Sequence, residues 1–86
     1  MSGKPPGKPS GKPEQLEILI KEDMRVTHRA ELVARLEEET GIVSAWFEHG
    51  DHHRLTVNFE PDHFSALTLL DTIRKHGLHG EIAGDR

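Results

Sequence analysis

The stretch His49-Gly50-Asp51-His52-His53 places three imidazoles and a carboxylate within five residues. It lies between Val43, Ala45, Phe47 and Leu55, Val57, Phe59, two runs of alternating apolar residues, and so reads as the tip of a β-hairpin. Imidazole nitrogens and carboxylate oxygens are ligands for borderline divalent metals, and imidazoles also change charge near neutral pH. His28, His63, His76 and His79 bring the total to seven histidines in 86 residues. A metal site, a pH-responsive surface and a solvated loop all fit these residue types.

Composition narrows the setting. At 86 residues and 34% hydrophobic, the chain can build one small domain, which buries only about 60% of its unfolded surface. It has no cysteine, which excludes disulfides, thiolate metal sites and thiol nucleophiles. No apolar run is long enough for a signal segment or a membrane span, so the expectation is a soluble, cytoplasmic protein without membrane insertion. Lys4, Lys8 and Lys12 lie in a segment of thirteen residues that holds no acid, which leaves eight bases against fifteen acids elsewhere. That acidic body is unsuited to nucleic acid and suits cations or a basic partner.

The elements that must position the histidines follow from periodicity. Residues 1–13 repeat Gly-Lys-Pro three times at a spacing of four and are expected to form a disordered tail, either a basic tether or a plain terminus. The ordered domain is expected over residues 15–84. Leu16, Ile18 and Ile20 alternate as a strand. Thr27 is the expected N-cap of a helix that buries Leu32, Val33, Leu36 and Thr40, with Glu31 and Arg35 paired on its surface and Gly41 as its stop. The hairpin strands follow. Pro61 is then expected to open a second helix with a stripe of Phe64, Leu67, Leu70 and Ile73. Gly77 ends it, and Leu78, Gly80 and Ile82 supply a last short strand. The order β-α-β-β-α-β is the ferredoxin-like α+β sandwich, a four-stranded antiparallel sheet with two helices on one face.

In that topology one end of the domain collects the first strand–helix loop, the hairpin and the connection to the last strand. Six histidines share it with Glu22, Asp23, Glu48 and Asp51, and His63 alone falls at the other end. A regular hairpin with Phe47 and Leu55 facing the helices requires a three-residue loop, Gly50-Asp51-His52. His49 and His53 then oppose each other with Cβ atoms about 5 Å apart, close enough to share a metal with Asp51, Glu48 or a third histidine. His28, in the first turn of its helix, keeps a lone pair available because the dipole disfavours the protonated ring. His76 is a weaker ligand at a helix end that favours the cation, and His79 faces solvent by parity. The expected ligand set is His49, His53, His28, His52, His76 and Asp51.

From Ile18 to Ala83 the chain resembles the heavy-metal-associated domain family of copper chaperones, a periplasmic mercury-binding protein and modules of metal-pumping P-type ATPases. The matching stretches are Met24 after the first strand, ELVARLEEETGIVSAWFE, LTVNFEP and LLDTIRKHGLHGEI. The resemblance implies the same fold and a metal bound at the start of the first helix through Met-x-Cys-x-x-Cys. Here Met24-Arg25-Val26-Thr27-His28-Arg29 has Val26 and Arg29 in the two thiolate positions. Without thiolates, affinity for soft Cu(I) or Hg(II) is lost. Either Arg29 supplies a fixed charge in a metal-free module, or the site has moved to ligands that suit Zn(II), Cu(II) or Ni(II).

Two function classes follow, neither enzymatic. One is a binding protein that buffers, delivers or senses a divalent metal, alone or with a metal-transport protein. The other is a metal-free interaction module whose open sheet face offers Trp46 and Leu19, beside Arg29, to a partner or a second copy. A small-molecule regulatory domain of the ACT type shares the element order, but the chain has no glycine-rich turn after the first strand. No nucleophile–base spacing points to catalysis.

Overall fold

The computed structural model describes residues 13–85. Six elements run in the order β1 (Glu14–Ile20), α1 (Val26–Glu37), β2 (Ile42–Glu48), β3 (Asp51–Phe59), α2 (Ala66–Lys75) and β4 (Gly80–Asp85). The strands form one sheet in the order β2-β3-β1-β4, and every neighbouring pair is antiparallel. This is the expected ferredoxin-like sandwich. The expected tail lies, except for Pro13, outside the described residues.

Alternation along the strands builds the core. Leu16, Ile18, Ile20, Ala45, Leu55, Val57 and Phe59 turn inward and meet Leu32 and Leu36 of α1 and Leu69 and Ile73 of α2. A fully buried side chain of this kind contributes about 1.5–3 kcal/mol. Among the described residues no helix is long and apolar enough to cross a membrane.

Several local expectations give way to tertiary geometry. Helix α1 begins at Val26, with Arg25 in the N-cap position and no side-chain cap, so Thr27 lies inside the helix and is exposed. It ends at Glu37. Thr40 is therefore outside it and exposed, and Gly41 belongs to the turn beyond rather than to the helix stop. No Glu31–Arg35 ion pair forms among the described residues. A register shift between Ile42 and Ser44 turns Ile42 toward the core and leaves Val43 exposed. Pro61 sits in a turn closed by Glu60, and α2 starts only at Ala66, so Leu69 takes the buried place expected of Leu67. On the edge strand β4, Ile82 is exposed, while Leu78 is buried just before the strand begins.

Candidate functional site

Antiparallel pairing brings the end of β1, the β2–β3 turn and the start of β4 to one pole. The ladder pairs Leu19 with Arg54 and Ile20 with Gly80, so His53 and His79 flank the last residues of β1 on opposite sides.

The hairpin differs from its expected form. Phe47 does oppose Leu55, but Glu48 then pairs with Asp51, leaving a two-residue turn at His49-Gly50. A bulge of His52, His53 and Arg54 absorbs the parity mismatch that a regular ladder would forbid. Asp51 stabilises it locally: its Oδ1 accepts the His53 backbone N–H at 3.1 Å, and its Oδ2 accepts from Arg54 Nε at 3.4 Å. The cross-strand pair of His49 and His53 therefore does not form.

The freed His53 ring turns instead toward the β1–α1 loop. Its Nδ1 lies 2.7 Å from the carbonyl oxygen of Ile20. A carbonyl only accepts, so Nδ1 carries the proton and Nε2 is the nitrogen that can ligate. That Nε2 stands 3.1 Å from Asp23 Oδ1. On the other side of β1, Glu22 receives the His79 backbone N–H at 2.8 Å on Oε1 and the His79 ring Nδ1 on Oε2. The ring bond, followed by the backbone bond, holds the Glu22 carboxyl below the ordinary glutamate range. Lys21 N–H closes the junction on the His79 carbonyl at 2.9 Å.

At the base of the same loop, Arg29 Nη1 donates to the Met24 carbonyl at 2.7 Å, and its guanidinium lies 6.0 Å from the Phe47 ring centroid. Met24 is buried, whereas Val26 is 70% exposed. The side chains at the two expected thiolate positions thus diverge, one into solvent and one back onto the loop.

The other expected ligands are less engaged with this pole. His28 is half-buried in the first turn of α1, and His49 and His52 are exposed at the hairpin. His76 caps the end of α2 and lines a cleft with Glu31, Ala34 and Arg35 of α1 and with Glu38 at its C-cap. Among the described residues no three His, Asp or Glu side chains are grouped tightly enough to hold an ion between them. On the open sheet face Trp46 is 40% exposed and Leu19 half-buried, beside an Arg54–Glu17 ion pair at 2.9 Å.

Sequence reading placed Glu22 and Asp23 at this pole without giving either a histidine partner. Continuing the β1–β3 ladder one step past Leu19 and Arg54 brings His53 opposite Ile20, the signal that would have found that contact. The Glu22–His79 contact has no such signal, because His79 precedes β4.

No family model matches the chain, and no curated protein matches it. Solved structures do. The N-terminal domain of a potential copper-translocating P-type ATPase from Bacillus subtilis, in its Cu(I)-loaded state, superposes with a TM-score of 0.77 at 20% identity, covering 86% of this chain and 91% of that one. A copper-binding domain from HMA7, a P-type ATPase, gives 0.76 at 16% identity over 85% of this chain and 97% of that one. The chain shares the fold of these domains.

Proposed function

We propose that this chain is a small metal-binding domain that takes up a borderline divalent ion, Zn(II), Cu(II) or Ni(II), through imidazole and carboxylate rather than thiolate. The observation that carries this reading is the His53–Asp23 pair. Two ligand bonds of about 2.0–2.1 Å put donor atoms roughly 2.9 Å apart at a right angle and 3.3 Å apart at a tetrahedral one. The Nε2–Oδ1 separation of 3.1 Å lies between these values, so the pair already has the bite of a chelate. The hydrogen bond from His53 Nδ1 to a backbone carbonyl is the usual way a ligating imidazole is oriented. His28, His49 and His52 stand at the same pole as further donors. Asp51 is engaged in the bulge, and His76 lines the α1 cleft.

The fold shared with copper-binding domains of P-type ATPases supports a role in holding or handing over metal, with a metal-transport protein as the natural partner. Titration of Zn(II), Cu(II) and Ni(II) into the chain, followed through histidine side-chain NMR signals (line broadening for the paramagnetic ions), tests the reading. The His53 ring responds at micromolar metal, and Asp23→Asn weakens binding about tenfold. A His53 ring indifferent to all three ions ends the proposal.

A second reading has its own observation. Arg29 already satisfies the Met24 carbonyl and places a permanent cation at the loop where the family resemblance locates the metal. A metal-free module of this kind would bind a partner or a second copy through Trp46 and the open sheet face. Chelation separates the two readings: partner binding that survives complete removal of metal belongs to this one.

A further inference from the structure

We propose that the free edge of β2 docks a second copy of this chain, antiparallel and centred on Trp46, and that Glu37 is the group this pairing displaces. The inference concerns the strand edge and does not depend on metal.

The sheet order leaves two edges, β2 and β4. Edge strands carry backbone N–H and C=O groups with no ladder partner, and proteins guard them with bulges, charges or covering groups. β4 is guarded by its own irregularity. Its ladder shifts register between Glu17 and Ile18 of β1, and its six residues include Gly80, Gly84, Glu81 and Asp85. β2 holds no glycine, proline or basic residue, and it pairs with β3 without a break from Ser44 to Phe47. Its guard comes from elsewhere. Glu37, the last residue of α1, reaches the edge, and its Oε2 accepts the Ala45 backbone N–H at 3.1 Å. That bond directs the Ala45 N–H away from β3. By alternation Phe47 presents its backbone groups on the same outer side, while Ser44 and Trp46 turn theirs toward β3.

The strand is complementary to itself. In an antiparallel copy centred on Trp46, Ala45 of each chain lies opposite Phe47 of the other, and the two exchange N–H···O=C bonds. The two Trp46 side chains then oppose each other on the open sheet face, with Cβ atoms about 4.5–5.5 Å apart. This gives an exposed indole an aromatic contact. Glu48, the one charged residue of the strand, falls opposite Ser44 and not opposite itself. The pairing is an isologous twofold interface, and the matched Trp46 rings select a second copy over an unrelated extended segment. Each copy gives up its Glu37 bond, so this carboxylate sets how readily the edge opens.

The test is sedimentation equilibrium of the full chain with chelator throughout, with amide hydrogen exchange and near-ultraviolet circular dichroism read in parallel. Glu37→Ala tightens self-association about 10- to 100-fold, because a charged hydrogen bond no longer competes in either copy. Glu37→Met, of similar length but without a carboxylate, shifts it in the same direction. In both variants the Ala45 amide exchanges more slowly as protein concentration rises. The tryptophan signal, which comes from Trp46 alone, grows with the dimer fraction. Trp46→Ala in the Glu37→Ala background reverses the gain. Folded Glu37→Ala and Glu37→Met chains that associate no more tightly than the wild type overturn the inference. A dimer whose Ala45 exchange is independent of concentration also overturns it, since that is contact through the sheet face or another surface.

Discussion

Helix α2 carries its own stops, and helix α1 borrows them. Ser65 caps α2 by accepting the Thr68 N–H at 3.1 Å, with buried Phe64 before it and Leu69 after it in the positions of a hydrophobic staple. At the other end Gly77 N–H bonds the Arg74 carbonyl and Leu78 N–H bonds that of Ile73, which is the Schellman arrangement. Helix α1 has no side-chain N-cap, and its entry is fixed by distant groups. Arg29 holds the Met24 carbonyl, His79 holds Glu22, and the His53 ring is fixed on the Ile20 carbonyl beside Asp23. The difference separates helix termini ordered by their own residues from one ordered by distant side chains. A loop ordered by imidazole–carboxylate contacts changes when those groups take a proton or a metal ion; a loop ordered by its own backbone does not.

The glycines that follow the two helices give the largest test of this contrast. Gly41 has φ +100°, and a Cβ there would stand 2.9 Å from that of His63 and 3.0 Å from that of Phe64. Gly77 has φ +81° and nothing within 4 Å. Gly41→Ala is expected to cost about 3 kcal/mol, combining left-handed strain with overpacking. Gly77→Ala costs only the strain, about 1 kcal/mol. Urea unfolding of both variants measures the gap, and equal losses would mean that Gly41 is held no more tightly than an open turn.

The N-termini sharpen the contrast on a smaller scale. Ser65→Ala removes a genuine cap and is expected to cost about 1 kcal/mol, whereas Thr27→Ala changes an exposed, uncapping residue and stays within about 0.5 kcal/mol. The same unfolding measurement decides it. A loss of 1 kcal/mol at Thr27 would restore it as the cap its sequence position suggests.

Where the sequence was legible, and where it was not, follows the same division. The core strands were readable because Leu16, Ile18 and Ile20 alternate without interruption, and Leu55, Val57 and Phe59 do the same. Gly77 was readable because a left-handed residue after an amphipathic run is a local signal. The hairpin was not, because a bulge at His52–Arg54 leaves no mark in a period-two pattern and shifts every histidine at the tip. Thr27 and Pro61 are both good helix starters by type, but backbone geometry begins the helices elsewhere. Topology brings His53 and His79 to the two sides of the β1 end, yet a pole is wider than a coordination sphere. Which ring meets which carboxylate depends on register to a single residue and on loop side chains, and neither is written in composition or spacing.

The smallest expected effect is also the most direct probe of the borrowed stop on α1. The ring bond from His79, then its backbone N–H, lowers the Glu22 pKa in the folded chain, while the unfolded chain returns it to about 4.3. A carboxyl whose folded value is depressed binds fewer protons when folded. Its contribution to stability is therefore complete above the unfolded value and fades as pH falls through the folded one. Glu22→Gln keeps the shape of the side chain and removes the titration. The stability difference between wild type and Glu22→Gln is expected to be complete above the ordinary glutamate range and to close as the pH falls below it. Ser65→Ala, which removes a neutral hydrogen bond, should show a difference that does not change over that range. Urea unfolding at half-unit pH steps, without added metal, compares the two. Parallel curves for both variants would mean that the Glu22–His79 contact contributes no charge interaction.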